Sequence, residues 1–126
     1  MIVLDANAVI AFLDPADPHF GSARAVFASG EPLAIPALTL AEVMVHPLPD
    51  AGGWDKFVAD FDIEIIPLLT TDPAGLAQVR RETRLRMPDA AVLHAAQALK
   101  AAIATTDARV AAEARARGLA THPAVP

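Results

Sequence analysis

Short apolar segments alternate with helix-like segments along the chain, and this alternation restricts the possible folds more than any other feature. Strands are expected at Ile2–Leu4, Leu33–Ile35, Glu64–Ile66, Ala102–Thr105 and, as a short final strand, Leu119–Thr121. Helices are expected at Ala6–Leu13, His19–Ala28, Ala37–His46, Gly53–Phe61, Asp72–Arg84, Pro88–Leu99 and Ala108–Arg117. Strands that alternate with helices pair in parallel, and the helices cover both faces of the sheet. We therefore predict an α/β fold with a mostly parallel sheet of four or five strands.

The length of 126 residues is that of one ordinary domain, and the linker-like residues 47–53 are few enough to be a loop. Cysteine is absent, which excludes disulfides, thiolate zinc sites and a cysteine nucleophile and suits a reducing cytoplasm. No basic region precedes an apolar stretch at the start, and the longest apolar stretches contain His94, Gln97 and Lys100. We expect one cytoplasmic domain over residues 1–126, without a membrane partner.

The charge is unevenly distributed. The formal net charge of −5 by itself argues against a nucleic-acid partner. Residues 1–79, however, hold two basic and eleven acidic residues, whereas residues 80–126 hold eight basic and four acidic ones. The second part therefore either carries a local basic surface or has arginines that are solvated helix residues.

Four carboxylates follow the strands at the edge where parallel sheets bind their ligands. Asp5 ends the first strand, and Asp107 directly follows the Ala102–Thr105 strand. Glu42 lies on the helix after the second strand, and Asp89 opens a later helix. Their neighbours are mostly apolar, and acidic side chains directed toward a core are costly unless they are paired or bound to metal. Together they predict one acidic site.

Each carboxylate also has a purely structural explanation. Asp5 and Asp107 are suited to cap the helices that follow them. Thr39 and Glu42 have the spacing of a capping box, and Asp89 stands where the helix dipole favours an anion. Only the joint position of the four residues favours a site.

Four converging carboxylates would repel one another, and a divalent cation removes that conflict. Ligands that are all oxygen favour Mg²⁺ or Mn²⁺ over zinc or copper. Such a site suits phosphodiester hydrolysis, in which metal ions activate a water and stabilise charge on the phosphoryl and leaving oxygens. Ser22 and Ser29 have no partner base, so no separate nucleophile is expected.

Four segments resemble the PIN-domain family in their order, spacing and total length. The first strand ends in Asp5-Ala6-Asn7, which is similar to the family's Asp-x-Asn/Ser/Thr ending. The other segments are Leu38–Val43 with Glu42, Leu85–Ala96 with Asp89, and Ala104–Arg109 with Asp107. The match covers essentially the whole chain, and the length looks most like that of the VapC-type toxins of bacterial toxin–antitoxin pairs.

This resemblance implies a Rossmann-like three-layer α/β/α sandwich and a single PIN-like domain. It implies a Mg²⁺-dependent (or Mn²⁺-dependent) endoribonuclease that cleaves RNA, forms a homodimer and is held inactive by a small cognate VapB-type antitoxin. By the same resemblance Asp5 and Asp89 are the firmest metal ligands, and Glu42 and Asp107 complete the catalytic acidic cluster.

Further polar residues are assigned supporting parts. Asn7, and Thr106 or its neighbour Thr105, match positions that support the cluster by hydrogen bonds. Arg86 is the candidate substrate-binding residue because it lies nearest the acidic site, within an arginine-rich stretch at residues 80–86. That stretch lines an RNA groove, pairs with acidic antitoxin residues or is a solvated helix face. Since aromatics are only 5% of the residues, RNA recognition would depend on phosphate contacts and RNA shape rather than on stacking.

Two other functions compete with the ribonuclease. One is a non-catalytic PIN-like module that binds RNA or a protein, although a vestigial site has no need for four acids. The other is a phosphatase with a nucleophilic aspartate, which usually has a second Asp two residues on, where Asn7 stands here. None of the four histidines is expected to be catalytic, and His94 is expected to point away from Asp89.

Overall fold

Five strands pair in parallel into one sheet in the computed structural model of the chain, which describes residues 1–122. The strands are β1 (Ile2–Leu4), β2 (Leu33–Pro36), β3 (Glu64–Ile66), β4 (Ala102–Ala104) and β5 (Thr121–His122), in the order β3-β2-β1-β4-β5. In the central register, Ile2 of β1 is opposite Leu33 of β2 on one side and Ala102 of β4 on the other. The prediction of an α/β fold with a parallel sheet is confirmed, with five strands.

Seven helices connect the strands in the described part of the chain. They are α1 (Ala6–Leu13), α2 (Phe20–Phe27), α3 (Ala37–Met44), α4 (Gly53–Asp60), α5 (Asp72–Thr83), α6 (Met87–Leu99) and α7 (Ala108–Ala116). Where helix ends differ from the sequence prediction, they do so by one to two residues, and β5 begins two residues later than expected. None of the described helices combines the length and the apolarity that crossing a membrane requires.

Side chains of β1 alternate between two cores, one on each face of the sheet. Ile2 and Leu4 join a core with α1, α3 and α4, to which Val9, Val43 and Phe57 contribute. Val3 faces the other way, into a core formed with α5, α6 and α7. Helices therefore cover both faces, which confirms the three-layer α/β/α sandwich.

The chain order places a crossing point at the carboxyl ends of β1 and β4. From β1 the chain proceeds outward through β2 and β3, then returns to the other side of β1 as β4 and continues to β5. Loops after β1 and β4 therefore leave in opposite directions and open a crevice between them, which is where ligands bind in such sheets.

A polar bridge joins α5 and α6, which pack against each other on one face of the sheet. Asp72, at the start of α5, accepts a hydrogen bond from the Leu69 amide (2.6 Å) and lies 3.0 Å from Nε2 of His94. These two contacts, that of Leu69 first, hold the pKa of the Asp72 carboxyl below its usual value. Gly75 allows the close approach, because a Cβ at this position would lie 2.4 Å from Cε1 of His94. His94 thus has a structural partner.

Replacing Gly75 with Ala should destabilise the fold, because the added methyl group displaces the His94 ring from Asp72. Overpacking of this kind costs about 1–3 kcal/mol, measured as a loss in the free energy of unfolding in urea. Gly21→Ala is the matched control: Gly21 is also helical, a Cβ added there would meet nothing within 4 Å, and alanine should stabilise that helix by up to about 1 kcal/mol. Equal effects of the two substitutions would contradict the packing explanation.

Candidate acidic site

Asp5 is the most buried of the predicted acidic residues, with 3% of its surface exposed. It follows β1 and caps α1, where its Oδ1 accepts a hydrogen bond from the Ala6 amide (2.8 Å). Its Oδ2 accepts hydrogen bonds from the Thr105 hydroxyl (2.7 Å) and from Nδ2 of Asn7 (3.2 Å). The Asp5 carboxylate therefore both caps α1 and lies in the crevice between the ends of β1 and β4.

The supporting hydrogen bonds join the ends of β1 and β4. The Thr105 hydroxyl, besides donating to Asp5, accepts from the Asp107 amide (3.0 Å). The Asn7 side chain accepts from the Thr106 amide through Oδ1 (2.8 Å). Asn7 thus lies in the network as its sequence position suggested, whereas Thr106 contributes its backbone and Thr105 supplies the hydroxyl. Thr105 is the last residue of the expected fourth strand, beside β1, and that position is the sequence signal which singles it out.

Asp89 and Asp107 lie on two helices that begin near the same crevice. Asp89 is in the first turn of α6, with 14% of its side chain exposed, and lies 3.7 Å from Nε of Arg86. Asp107 caps α7, where its Oδ1 accepts from the amides of Arg109 (2.8 Å) and Val110 (3.3 Å). The capping explanation therefore holds for Asp107, and its second carboxylate oxygen makes none of these cap bonds.

Electrostatic interactions connect the three aspartates. The pKa of Asp5 is raised to about 6, chiefly by burial and in smaller part by the charge of Asp89, against the hydrogen bonds from Thr105, Ala6 and Asn7. Burial also raises the pKa of Asp89, with an added contribution from the charge of Asp107 and opposition from Arg86 and Arg109. Asp89 therefore lies within electrostatic range of both Asp5 and Asp107, and we call these three residues the acidic cluster.

Glu42 has no electrostatic link to this cluster among the described residues. Its side chain is exposed on α3, and its charge is not among the causes that shift the pKa of Asp5 or Asp89. The expected capping box is also wrong, because α3 begins directly after Pro36. Thr39 is then the third helical residue, and its buried Oγ1 makes no hydrogen bond within the described residues.

The donor chemistry of the acidic cluster fits a hard divalent cation. Within residues 1–122, no three Asp, Glu, His or Cys side chains are close enough to hold one ion together. Mg²⁺ commonly binds through one or two carboxylates, with waters and substrate phosphates completing its shell. Asp5 and Asp89 supply that number of carboxylates, and the raised pKa of each indicates excess negative charge or poor solvation that a cation would relieve.

The crevice is separate from an apolar pocket that the described residues form. That pocket lies between α3, β3, α5 and α6 and is lined by residues that include Leu38, Leu69, His94 and Leu99. None of the acidic cluster lines it.

Comparisons with known proteins agree with this geometry. The family model of the PIN domain matches residues 2–116. A toxin–antitoxin complex from Klebsiella pneumoniae is similar with a TM-score of 0.70 and 23% identity, over 89% of this chain and 91% of that chain. FitAcB from Neisseria gonorrhoeae is similar with a TM-score of 0.67 and 20% identity, over 96% of each chain.

A third solved structure is the toxin VapC20 from Mycobacterium tuberculosis, which is described as cleaving the sarcin–ricin loop. Its TM-score is 0.63 at 12% identity, over 90% of this chain and 95% of that chain. At these identities the likeness shows the fold. No curated protein matches the sequence.

The raised pKa of Asp5 predicts a defined pH dependence of stability. Because the folded pKa (about 6) exceeds the ordinary value of 3.8, the folded chain retains a proton between these pH values that the unfolded chain has lost. The free energy of unfolding should therefore fall as pH rises from about 4 to about 6, by on the order of 3 kcal/mol, and stay lowered above.

Urea unfolding at pH 4 and pH 7, without divalent cations, measures this dependence. Asp5→Asn should remove most of the difference between the two pH values, whereas Asp55→Asn, at an exposed position on α4, should leave it unchanged. The same pH dependence in native and Asp5→Asn chains would contradict the assignment to Asp5.

Proposed function

The chain belongs to the PIN domain family, and from that premise we propose that it is a Mg²⁺-dependent (or Mn²⁺-dependent) endoribonuclease. We further propose that it is the toxin of a VapBC-type toxin–antitoxin pair, acting in the cytoplasm as one domain over residues 1–126. The observation that supports the nuclease most directly is the buried Asp5 carboxylate beside Asp89 at the crossing point of the sheet.

Asp5 and Asp89 are the residues proposed to hold the cation, with Asp107 close enough to contribute its charge. A divalent cation there would activate water for attack on phosphorus and stabilise the charge of the phosphoryl and leaving oxygens. Thr105 and Asn7 hold the Asp5 carboxylate in one orientation. Glu42 remains a proposed member of the catalytic set, and its exposed position predicts the smallest contribution.

The antitoxin is proposed from the family and from the Klebsiella pneumoniae structure, and the RNA substrate is proposed from VapC20. The Klebsiella pneumoniae structure is a toxin–antitoxin complex, and VapC20 is a toxin that cleaves the sarcin–ricin loop. By analogy, a small cognate VapB-type antitoxin would cover the crevice of this chain and exclude RNA. A structured RNA is the corresponding substrate class.

Cleavage assays with structured RNAs test the nuclease and rank its carboxylates. Asp5→Asn and Asp89→Asn should lower kcat by about 100-fold or more, because each removes a proposed metal ligand. Asp107→Asn keeps an oxygen that can accept the amide hydrogen bonds capping α7, so this variant removes only the negative charge. Its kcat is expected to fall by about 10-fold. Glu42→Gln should cost less than Asp107→Asn, and Asp55→Asn nothing.

Dependence on the cation is measured in the same assay. EDTA should abolish cleavage, and Mg²⁺ or Mn²⁺ should restore it. Full activity of Asp5→Asn and Asp89→Asn, or cleavage that persists in EDTA, would contradict the proposal. Metal-independent RNA binding with no cleavage under any cation would favour the alternative, a non-catalytic RNA- or protein-binding module.

A homodimer is proposed on the apolar surface around the pocket described above. Four leucines expose large fractions of their surface there: Leu38 (44%), Leu68 (64%), Leu69 (56%) and Leu99 (43%). Contiguous apolar surface of this kind is uncommon on monomers and marks interaction sites. Strand β3 is also an edge strand beside this surface, with Ile65 45% exposed.

Light scattering coupled to size-exclusion chromatography tests the dimer. The native chain should elute at twice its mass of 13.2 kDa, and Leu68→Glu should shift it to the monomer by placing a charge in the apolar contact. Leu13→Glu, a leucine 38% exposed at the end of α1, is the matched control and should leave the dimer intact. A native chain that is monomeric at every concentration would contradict this proposal.

A further inference from the structure

Four arginines lie within residues 80–86, and the last of them, Arg86, contacts the acidic cluster. They are Arg80 and Arg81 in the last turn of α5, Arg84 directly after it, and Arg86, which precedes α6. All four are exposed. This stretch holds four of the ten basic residues of a chain whose formal net charge is −5. We call Arg80, Arg81 and Arg84 the arginine tract, and Arg86 connects it to Asp89 at 3.7 Å.

The turn that carries the tract is held in one conformation. Arg84 has a left-handed backbone (φ 59°), and its amide donates to the Arg80 carbonyl at 2.8 Å, which closes α5. Leu85 is then directed into the core with 1% exposed, and its amide donates to the Thr83 hydroxyl (3.1 Å). Nε of Arg80 donates to the Leu85 carbonyl (3.3 Å), which leaves its two terminal nitrogens free of that bond. The buried Leu85 side chain therefore fixes the turn that carries the exposed arginines.

The positive charge of the tract is not neutralised within residues 1–122. None of its three arginines has a carboxylate at salt-bridge distance among the described residues. Glu82, the acid within the stretch, accepts from Gln78 (3.0 Å) and Arg117 (3.1 Å) instead, and Arg81 affects its pKa only at longer range. Like charges held together without partners favour an external anion.

The shape and position of the tract fit an RNA backbone. Its arginines line an open groove together with Ala77 and Met87, so three cationic side chains share one concave surface. Arginine binds phosphate through two parallel hydrogen bonds. A strand whose scissile phosphate lies against three carboxylates is repelled there, and cations on its flanking nucleotides offset that repulsion.

We propose that Arg80, Arg81 and Arg84 bind the RNA phosphates that flank the scissile phosphate, without reading base sequence. The inference rests on the proposed function, since it takes the acidic cluster as the place of cleavage. The two proposals are tested by different measurements, because RNA binding to the arginine tract requires neither the cation nor catalysis.

Fluorescence anisotropy with two single-stranded RNAs of unrelated sequence, in EDTA, tests the tract. The double variant Arg81→Gln/Arg84→Gln should bind both RNAs about tenfold more weakly. The slope of log affinity against log salt should become shallower by about 1.4, at roughly 0.7 for each phosphate contact on a single strand. Arg24→Gln/Arg115→Gln removes two exposed arginines from α2 and α7 and is the charge-matched control, expected to stay within about twofold.

Three results would overturn the tract: equal losses in the double variant and its control, a loss confined to one RNA sequence, or unchanged RNA binding with lost binding of poly-L-glutamate. The last result would assign the tract to an acidic polypeptide. With Mg²⁺ present, the double variant should raise KM by a similar factor and leave kcat within about twofold, since the arginines bind flanking phosphates. If the native chain cleaves no RNA while the binding difference persists, the proposed nuclease function fails, but the assignment of the arginine tract as an RNA-binding surface is retained.

Discussion

The hydrogen bond from the Thr105 hydroxyl to the Asp5 carboxylate is the contact on which the site depends. It joins residues 100 positions apart in sequence, at the carboxyl ends of β1 and β4. Without it, a carboxylate that is 3% exposed would lose one of the partners that offset its burial. Asn7 strengthens the same junction from the first turn of α1, through Asp5 on one side and the Thr106 amide on the other.

Charge is arranged around this junction in two opposed regions. The charge of Asp89 raises the pKa of Asp5, and the charge of Asp107 raises the pKa of Asp89; in both cases this repulsion adds to burial, which is the largest cause. Arg86 and Arg109 lie at the boundary and lower the pKa of Asp89, and the arginine tract continues outward from Arg86. Acidic residues at the centre and basic residues at the margin form the electrostatic pattern that the proposed metal-dependent nuclease requires.

The sequence predicted the layers of the fold and the place of Asp5, Asp89 and Asp107 at strand ends or helix starts, because both depend on local patterns. Apolar alternation located every strand within two residues, and the position of Asp5, Asp89 and Asp107 after strands or at helix starts brought them to one edge of the sheet. The place of Glu42 could not be predicted, because a helix rotates successive side chains by about 100° and the first residue of α3 was not known. The spacing of Thr39 and Glu42 suggested a capping box, but α3 begins directly after Pro36, too early for one.

The contacts that the sequence could not show are those between distant segments. Thr105 as the hydroxyl donor to Asp5, Asp72 as the partner of His94, and the left-handed turn at Arg84 all depend on packing between separate elements. Sequence spacing assigns a residue to an element, and only the folded chain determines which atoms meet across the sheet. The exposed leucines around the apolar pocket belong to the same class, since their exposure follows from how α3, β3 and α6 are arranged.

The proposed nuclease depends most on the cation site formed by Asp5 and Asp89 at the crossing point of the sheet. Anomalous diffraction from crystals of the native chain soaked in Mn²⁺ tests this site most directly, because it locates the ion without reference to activity. We predict a Mn²⁺ peak in contact with carboxylate oxygens of Asp5 and Asp89, with waters completing its coordination. A crystal with no Mn²⁺ at these two residues, or with Mn²⁺ bound only elsewhere on the chain, would contradict the proposed site.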